Sequence, residues 1–409
     1  MIKKFILLSL LLNLSLQIYT LPKKSWTFFT YIAADNDLSP FVDGDLKEMI
    51  AGTNENVNTL VYLNTKESNT KKSKKLIITK NGITQRGTDL NLDSGAANTL
   101  INAIKWAVTE SPSDYISINL WNHGSGPLNP RKSRGVCFDD STGNYLNDKD
   151  LQLALRETVK LIGKKINILC FDSCLMASIE GDASWVDYVD YVVASEETIP
   201  GYGWGYDKVL PILEKSIVEP RNFAYEMVNA YKQTYLREKD YTMSAVSTNN
   251  IKDLANYVDQ ISKELIFLLK SQIGNTFRNI LVKTRNYTTS FTEPSYIDLK
   301  HFYTNLLTNI SKLNTNNPVI HQRLAHLKNL VNLAIESIKT NVINNVSGPD
   351  YPNASGISIY FPTSWIDTSY SALDWTAKYP NWLLFLRTFL KRKQSRAVDF
   401  YLKNSRTCK

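Results

Sequence analysis

Apolar and polar positions in the first half of the chain switch repeatedly between two periods. SWTFFTYIAA (25–34) is nearly continuous in apolar and β-branched residues and predicts a buried strand. VNTLVYLN (57–64) predicts the next, and KKLIITK (74–80) follows within hairpin reach. DYISINLWNHG (114–124) sets Ile116, Ile118 and Leu120 on one face. KINILCFDSC (165–174) and YVDYVVAS (188–195) continue the series. Between these runs the period lengthens to that of a helix. LSPFVDGDLKEMIAG (38–52) and AANTLINAIKWAVTE (96–110) are two such stretches. NDKDLQLALRETVKLIG (147–163) is a third, with Asn147 placed to cap its start and Gly163 to end it. Strands alternating with helices predict an α/β fold, a mainly parallel central sheet with helices on both faces.

The second half changes character. Residues 205–240 and 250–346 follow a mostly helical pattern rich in Asn, Lys and Leu. TMSAVST (242–248) and ASGISIYFP (354–362) read as late strands, the second announced by Pro349, Pro352 and Gly356. No internal repeat and no long low-complexity tract is visible. The chain therefore divides into a leader (1–20), an α/β core (21–250) and a largely helical C-terminal region (251–409). The last of these carries a late strand near 354–362 and a basic tail.

Composition sharpens the picture at the two ends. The 409 residues are 43% hydrophobic and 21% charged, as in an ordinary folded protein. Lys3 and Lys4 precede FILLSLLLNLSLQIYT, and no acidic residue interrupts it. A basic start, a short apolar core and a polar exit describe a secretory signal peptide, with Thr20 as the last residue removed. An uncleaved membrane anchor is the alternative. The expected location is outside the cell or in a periplasm, and no later stretch is long and apolar enough to span a membrane. Residues 391–409 hold seven basic residues and one acidic residue, so the body is close to neutral. A basic tail is able to touch an anionic membrane or a nucleic acid, but a solvated end is the plainer reading. No nucleic-acid partner is expected.

Candidate chemistry sits at two strand ends. Ligands of open parallel sheets gather outside the carboxyl ends of the strands. LWNHGSG ends one strand with His123, and LCFDSCL ends another with Cys174. A loop and one helix separate them, enough to return the chain to an adjacent parallel strand. A thiolate is a nucleophile, and a neighbouring imidazole activates it and later protonates a leaving amine. A buried structural thiol is the competing reading of Cys174, and a stronger one for Cys170 inside the strand. Cys170 and Cys174 are not spaced as a C-x-x-C zinc pair, and no second pair follows. Cys137, Cys170, Cys174 and Cys408 allow at most two disulfides, and spacing alone assigns none. His321 and His326, five apart in a helical stretch, are poorly placed for a shared metal.

WTFFTYIAADNDLS, WNHGSG, CFDSCLMASIE, YVVASEETIPGYGW and ASGISIYFP resemble, in this order, the clostripain family of cysteine peptidases. That family shares the caspase-like fold of gingipains and legumains. The resemblance covers residues 25 to 250 well and beyond them rests on 295–299 and 354–362. It implies a secreted cysteine endopeptidase with His123 as general acid and base and Cys174 as nucleophile. It implies an oxyanion site from the backbone N–H groups of Gly124 and Cys174. It implies that Asp172 receives the basic residue before the scissile bond, through a forked pairing with Arg or a point contact with Lys. A turn-capping carboxylate is the plainer role for Asp172. Glu196 and Glu197 could line the same pocket or hold the fold. Tyr202 and Trp204 could wall the substrate or anchor the packing.

Family members are often cut between the two catalytic residues, and Arg131, Lys132 and Arg134 would suit self-cleavage. The expected molecule is a monomer, uncut or nicked once, acting on proteins or peptides with basic residues. No cofactor is required by the sequence. Calcium is an expectation of the resemblance, but Asp139, Asp140 and Asp148 follow no calcium-loop spacing and are assigned no metal. The alternative function is a silent binding protein on the same fold, which the presence of both His123 and Cys174 argues against. An intracellular processing protease is a third reading, disfavoured by the leader.

Overall fold

The computed structural model describes residues 20–67, 70–126, 135–215 and 217–391. The expected leader up to residue 19, Arg131, Lys132, Arg134, Cys408 and the tail from residue 392 lie outside the described residues.

Thirteen strands are described. The first five are β1 (Lys24–Ala34), β2 (Val57–Glu67), β3 (Thr70–Thr79), β4 (Gly82–Leu90) and β5 (Ser113–Trp121). β6 (Val136–Asp139), β7 (Asn144–Leu146), β8 (Ile166–Asp172), β9 (Val189–Ala194) and β10 (Thr242–Ser247) follow. β11 (Tyr296–Asp298), β12 (Val342–Ser347) and β13 (Ser358–Tyr360) complete the set. Nine of them form one sheet in the order β12-β10-β9-β8-β5-β1-β2-β3-β4. The five central strands, β9 to β2 in that order, pair in parallel. Antiparallel strands close both edges, β3 and β4 on one side and β10 and β12 on the other.

Helices cover both faces because the central strands are apolar on both. Along β1, Phe28 and Ile32 enter one core with α1 (Val42–Gly52) and α6 (Pro220–Thr234). Phe29, Tyr31 and Ala33 point the other way, against α2 (Ala97–Glu110) and α3 (Asp148–Ile162). Each such buried side chain contributes about 1.5–3 kcal/mol, which fixes the register, since a one-residue slip would reverse both faces. α3 starts where the sequence places it. The Asn147 side chain accepts from the N–H groups of Lys149 and Asp150, and Gly163 closes the helix at φ 72°.

A third core lies beyond the α/β layers. It joins α7 (Ile251–Lys270), α8 (Gly274–Tyr287), α9 (Leu299–Ile310), α10 (Pro318–Asn341) and the helix at 380–391. Leu175 and Ile179, directly after the second candidate strand end, are part of it. The late strand expected near 354–362 is present as Ser358–Tyr360, paired with β11 outside the main sheet. One sequence expectation changes here. The main sheet takes β12, inside a stretch whose pattern reads as helical. It directly follows the 24-residue α10 and is an edge strand with every residue only half buried, so no clean alternation marks it. β4 was also not visible in the pattern, because as a mostly exposed edge strand it lacks an apolar face.

Candidate active site

The register of β5 and β8 builds the site. Trp121 pairs with Asp172, and the Asn122 N–H extends the ladder to the Asp172 carbonyl at 3.2 Å. His123 and Gly124 thus leave β5 beside Ser173 and Cys174 as these leave β8. The approach is close. A Cβ built on Gly124 would stand 2.4 Å from the Cys174 carbonyl oxygen and 2.9 Å from its nitrogen. Only a residue without a side chain permits this contact.

The Cys174 thiol is half buried. The Ile199 N–H donates to Sγ at 3.2 Å, and the Gly124 N–H is also directed at it. Burial raises the thiol above its ordinary range, and these two donors, which favour a thiolate, oppose the rise. Leu175 then turns the chain at φ 63°, a left-handed conformation rare outside glycine. Its N–H donates to the Glu197 carbonyl at 3.1 Å, and its buried side chain anchors the turn in the C-terminal core. Cys137, Cys170 and Cys174 are free thiols. Cys170 lies buried against Ser117 Oγ at 3.3 Å, and burial pushes it to about 12. Cys137 is buried and pushed up further for the same reason.

Asp172 points to the sheet face covered by α1. Its Oδ2 accepts from the Trp204 N–H at 3.1 Å and the Tyr206 hydroxyl at 2.7 Å. Gly203 wraps it at φ 60°, where a Cβ would stand 2.7 Å from Oδ2. Among the described residues nothing donates to Oδ1. Two further acids from α1 stand nearby. Asp45 accepts from Trp121 Nε1 at 2.6 Å, and Glu48 accepts from the Tyr206 N–H at 3.0 Å. Burial raises Asp172, and the Glu48 charge adds to it against the Tyr206 and Trp204 donors. Burial and then the Asp172 charge raise Asp45. The carboxyl groups crowd a place where a cation would relieve them.

The other acids of this region have different work. Glu196 accepts from the Gly356 N–H at 2.8 Å, and Glu197 from the N–H groups of Thr198 and Thr292 at 2.6 and 2.8 Å. Both are buried and tie the loop after β9 to the C-terminal region. Trp204 is a buried packing anchor, whereas Tyr202 is 76% exposed and meets Phe41 edge-on at 5.3 Å.

His123 has a partner that sequence reasoning missed. Its Nε2 lies 2.6 Å from Asp37 Oδ1. Asp37 follows β1, the other neighbour of β5, so the rule that ligands gather at parallel strand ends would have found it. Asp45, Glu48 and Tyr206 were also missed, since nothing local marks a residue that meets the site only through helix packing.

Calcium does not fit the acids near the hairpin. Asp139 is engaged by Lys71, by the Ser94 N–H at 2.8 Å and by the Thr142 N–H at 3.1 Å. Asp148 is bound to Gln152 at 2.8 Å. Among the described residues no group of three or more His, Cys, Asp or Glu is arranged to hold a metal ion. Among the same residues no helix is long and apolar enough to cross a membrane.

Comparison with known proteins places this fold. Residues 30–389 match the model of the clostripain family. The curated proteins give no match. Among solved structures, the fold is similar to a secreted C11 cysteine protease from Bacteroides thetaiotaomicron bound to an irreversible peptide inhibitor. The TM-score is 0.62 at 21% identity, over 87% of this chain and 98% of that one. An inactive zymogen C11 protease from Parabacteroides distasonis aligns at TM-score 0.61 and 20% identity, over 88% and 99%. A third, the Bacteroides thetaiotaomicron protease named iotapain, aligns at 0.63 and 14%, over 87% and 99%. With its caspase-like sheet and a family match running from β1 to the last described helix, the chain belongs to the clostripain family of cysteine peptidases.

Proposed function

We propose that this protein is a secreted endopeptidase that cleaves peptide bonds after Arg or Lys through His123 and Cys174. The observation that carries the reading is the junction of β5 and β8, where the His123–Gly124 segment runs against the backbone of Cys174. Cys174 Sγ attacks the scissile carbonyl carbon as its proton passes to His123. The oxyanion that forms is met by backbone N–H groups, for which Gly124 and Cys174 are the candidates. The imidazolium gives its proton to the amine as the C–N bond breaks, leaving a thioester on Cys174. Water, deprotonated by His123, then releases the acid and restores the thiol.

Asp172 supplies specificity in this reading. Its Oδ2 is held by Trp204 and Tyr206, which leaves Oδ1 for a substrate guanidinium or ammonium. Glu48 adds negative charge behind it, whereas Asp45, raised to about 8, is mostly neutral at pH 7. Cuts after Arg131, Lys132 or Arg134 would follow from the same preference. The N-terminal sequence supports export.

The test is a covalent one. A peptide ending in Arg and carrying an electrophilic ketone is incubated with the protein under reducing conditions, and the adduct is mapped by mass spectrometry. One adduct on Cys174, absent after Cys174→Ala and suppressed by His123→Ala, is expected. An adduct on another residue, or continued peptide cleavage by Cys174→Ala, would overturn the reading.

A further inference from the structure

Asp37 and His123 meet at 2.6 Å, although their side chains are 79% and 42% exposed. An exposed ion pair alone does little, because water and salt screen it. This pair is set differently, because the residue before each partner is locked. Asn36 Nδ2 donates to the carbonyls of Ala33 and Phe138, each at 3.0 Å. Asn122 Nδ2 donates to the same two carbonyls, and its Oδ1 accepts from the Phe138 N–H at 2.9 Å. The turn is closed further by the Leu38 N–H on Asn36 Oδ1 at 3.0 Å. Two amides thus clamp the end of β1, the end of β5 and the hairpin strand β6 at one point. Asp37 and His123 are the next residues out from that clamp.

We infer that Asp37 is a positioning residue for His123, holding the proton of the imidazole on Nε2 so that Nδ1 is the nitrogen that exchanges protons with Cys174 and the leaving amine. An ionised carboxylate only accepts, so a hydrogen bond to it requires a proton on Nε2. The neutral ring then carries its lone pair on Nδ1, and Nδ1 takes the thiol proton as the S–C bond forms. The imidazolium that results keeps Asp37 as its counter-charge. The same nitrogen returns the proton to the amine as the C–N bond breaks. An orienting group of this kind sets tautomer and ring direction without touching the substrate. The inference rests on the His123–Cys174 reading, but the pairing itself is open to a measurement that does not need activity.

That measurement is nitrogen-15 NMR of the histidine tautomers in full-length Cys174→Ala protein, with and without Asp37→Asn. His123 is assigned by comparison with His123→Ala. The expected spectrum has the Nε2–H form of His123 with Asp37 present and a mixture of the two neutral forms once Asp37→Asn is introduced. An Nδ1–H form in the presence of Asp37 overturns the inference whether or not the enzyme is active. Kinetics supply the second arm. Asp37→Asn is expected to lower kcat about 10- to 100-fold on an Arg peptide with KM within about twofold, and Asp37→Glu to restore most of it. Equal losses in Asp37→Asn and Asp37→Glu, with a lowered melting temperature, would mark a merely structural residue. An unchanged kcat in Asp37→Asn would also overturn it. Failure of the dyad reading is seen separately, as activity retained in Cys174→Ala.

Discussion

Cys174 sits in surroundings that hold its thiol protonated. Burial raises its titration above the ordinary thiol range, and the donors from Ile199 and Gly124 only partly offset this. The free enzyme should therefore react slowly with iodoacetamide at neutral pH, and the rate should climb with pH to a midpoint above that of a simple thiol. Cys137 and Cys170, buried and pushed up further, should stay unmodified while the protein is folded. Mass spectrometry of each cysteine after timed alkylation checks both statements. A fast reaction at Cys174 below pH 7 would show that the thiolate is already formed. His123 and Cys174 were legible in the sequence because each ends an apolar run with residue types that carry chemistry. Asp37 was not singled out. It is an acid among several in DND, and only the adjacency of β1 and β5 gives it a partner.

The elements that matter most are the paired ends of β5 and β8. Gly124→Ala would place a methyl group 2.4 Å from the Cys174 carbonyl oxygen and force the two ends apart. The expected cost is about 1–3 kcal/mol of stability, together with a fall in kcat of about 10²–10³ if a backbone donor is displaced. Denaturant unfolding and initial rates on the same preparation separate the two. Retention of both would mean that this contact is not required. The central strands were readable because burial on both faces gives continuous apolar runs. The edges were harder. β4 is polar and exposed, and β12 follows a long helix and turns Asn344 and Asn345 to partners on α6 and at Ala354. Their place is set by backbone pairing, which leaves no pattern in the side chains.

Across the whole molecule, buried acids join the α/β core to the C-terminal region. Glu180 accepts from the Tyr360 N–H at 3.0 Å and the Tyr370 hydroxyl at 2.9 Å, and burial raises it to about 7. Asp182, buried beside it, is raised well above its ordinary value for the same reason. A carboxyl group raised on folding favours the folded state while it is neutral. Its contribution is full below 4.5, the ordinary value for Glu180, and is lost as pH climbs through the folded value. For Glu180 the loss amounts to about 3 kcal/mol between pH 4.5 and 8. Glu180→Gln, which keeps the acceptor and cannot ionise, should flatten the decline, read as urea midpoints at pH 5 and pH 8. An unchanged slope would assign the decline to other groups. The central claim concerns the site those regions enclose. The most direct measurement is hydrolysis of matched fluorogenic peptides ending in Arg, Lys, Asn or Asp by wild type, Cys174→Ala and Asp172→Asn. Cleavage after Arg or Lys alone is expected, abolished in Cys174→Ala and reduced at least about 30-fold in kcat/KM in Asp172→Asn. Cleavage after Asn or Asp, or an Arg preference that survives Asp172→Asn, would contradict it.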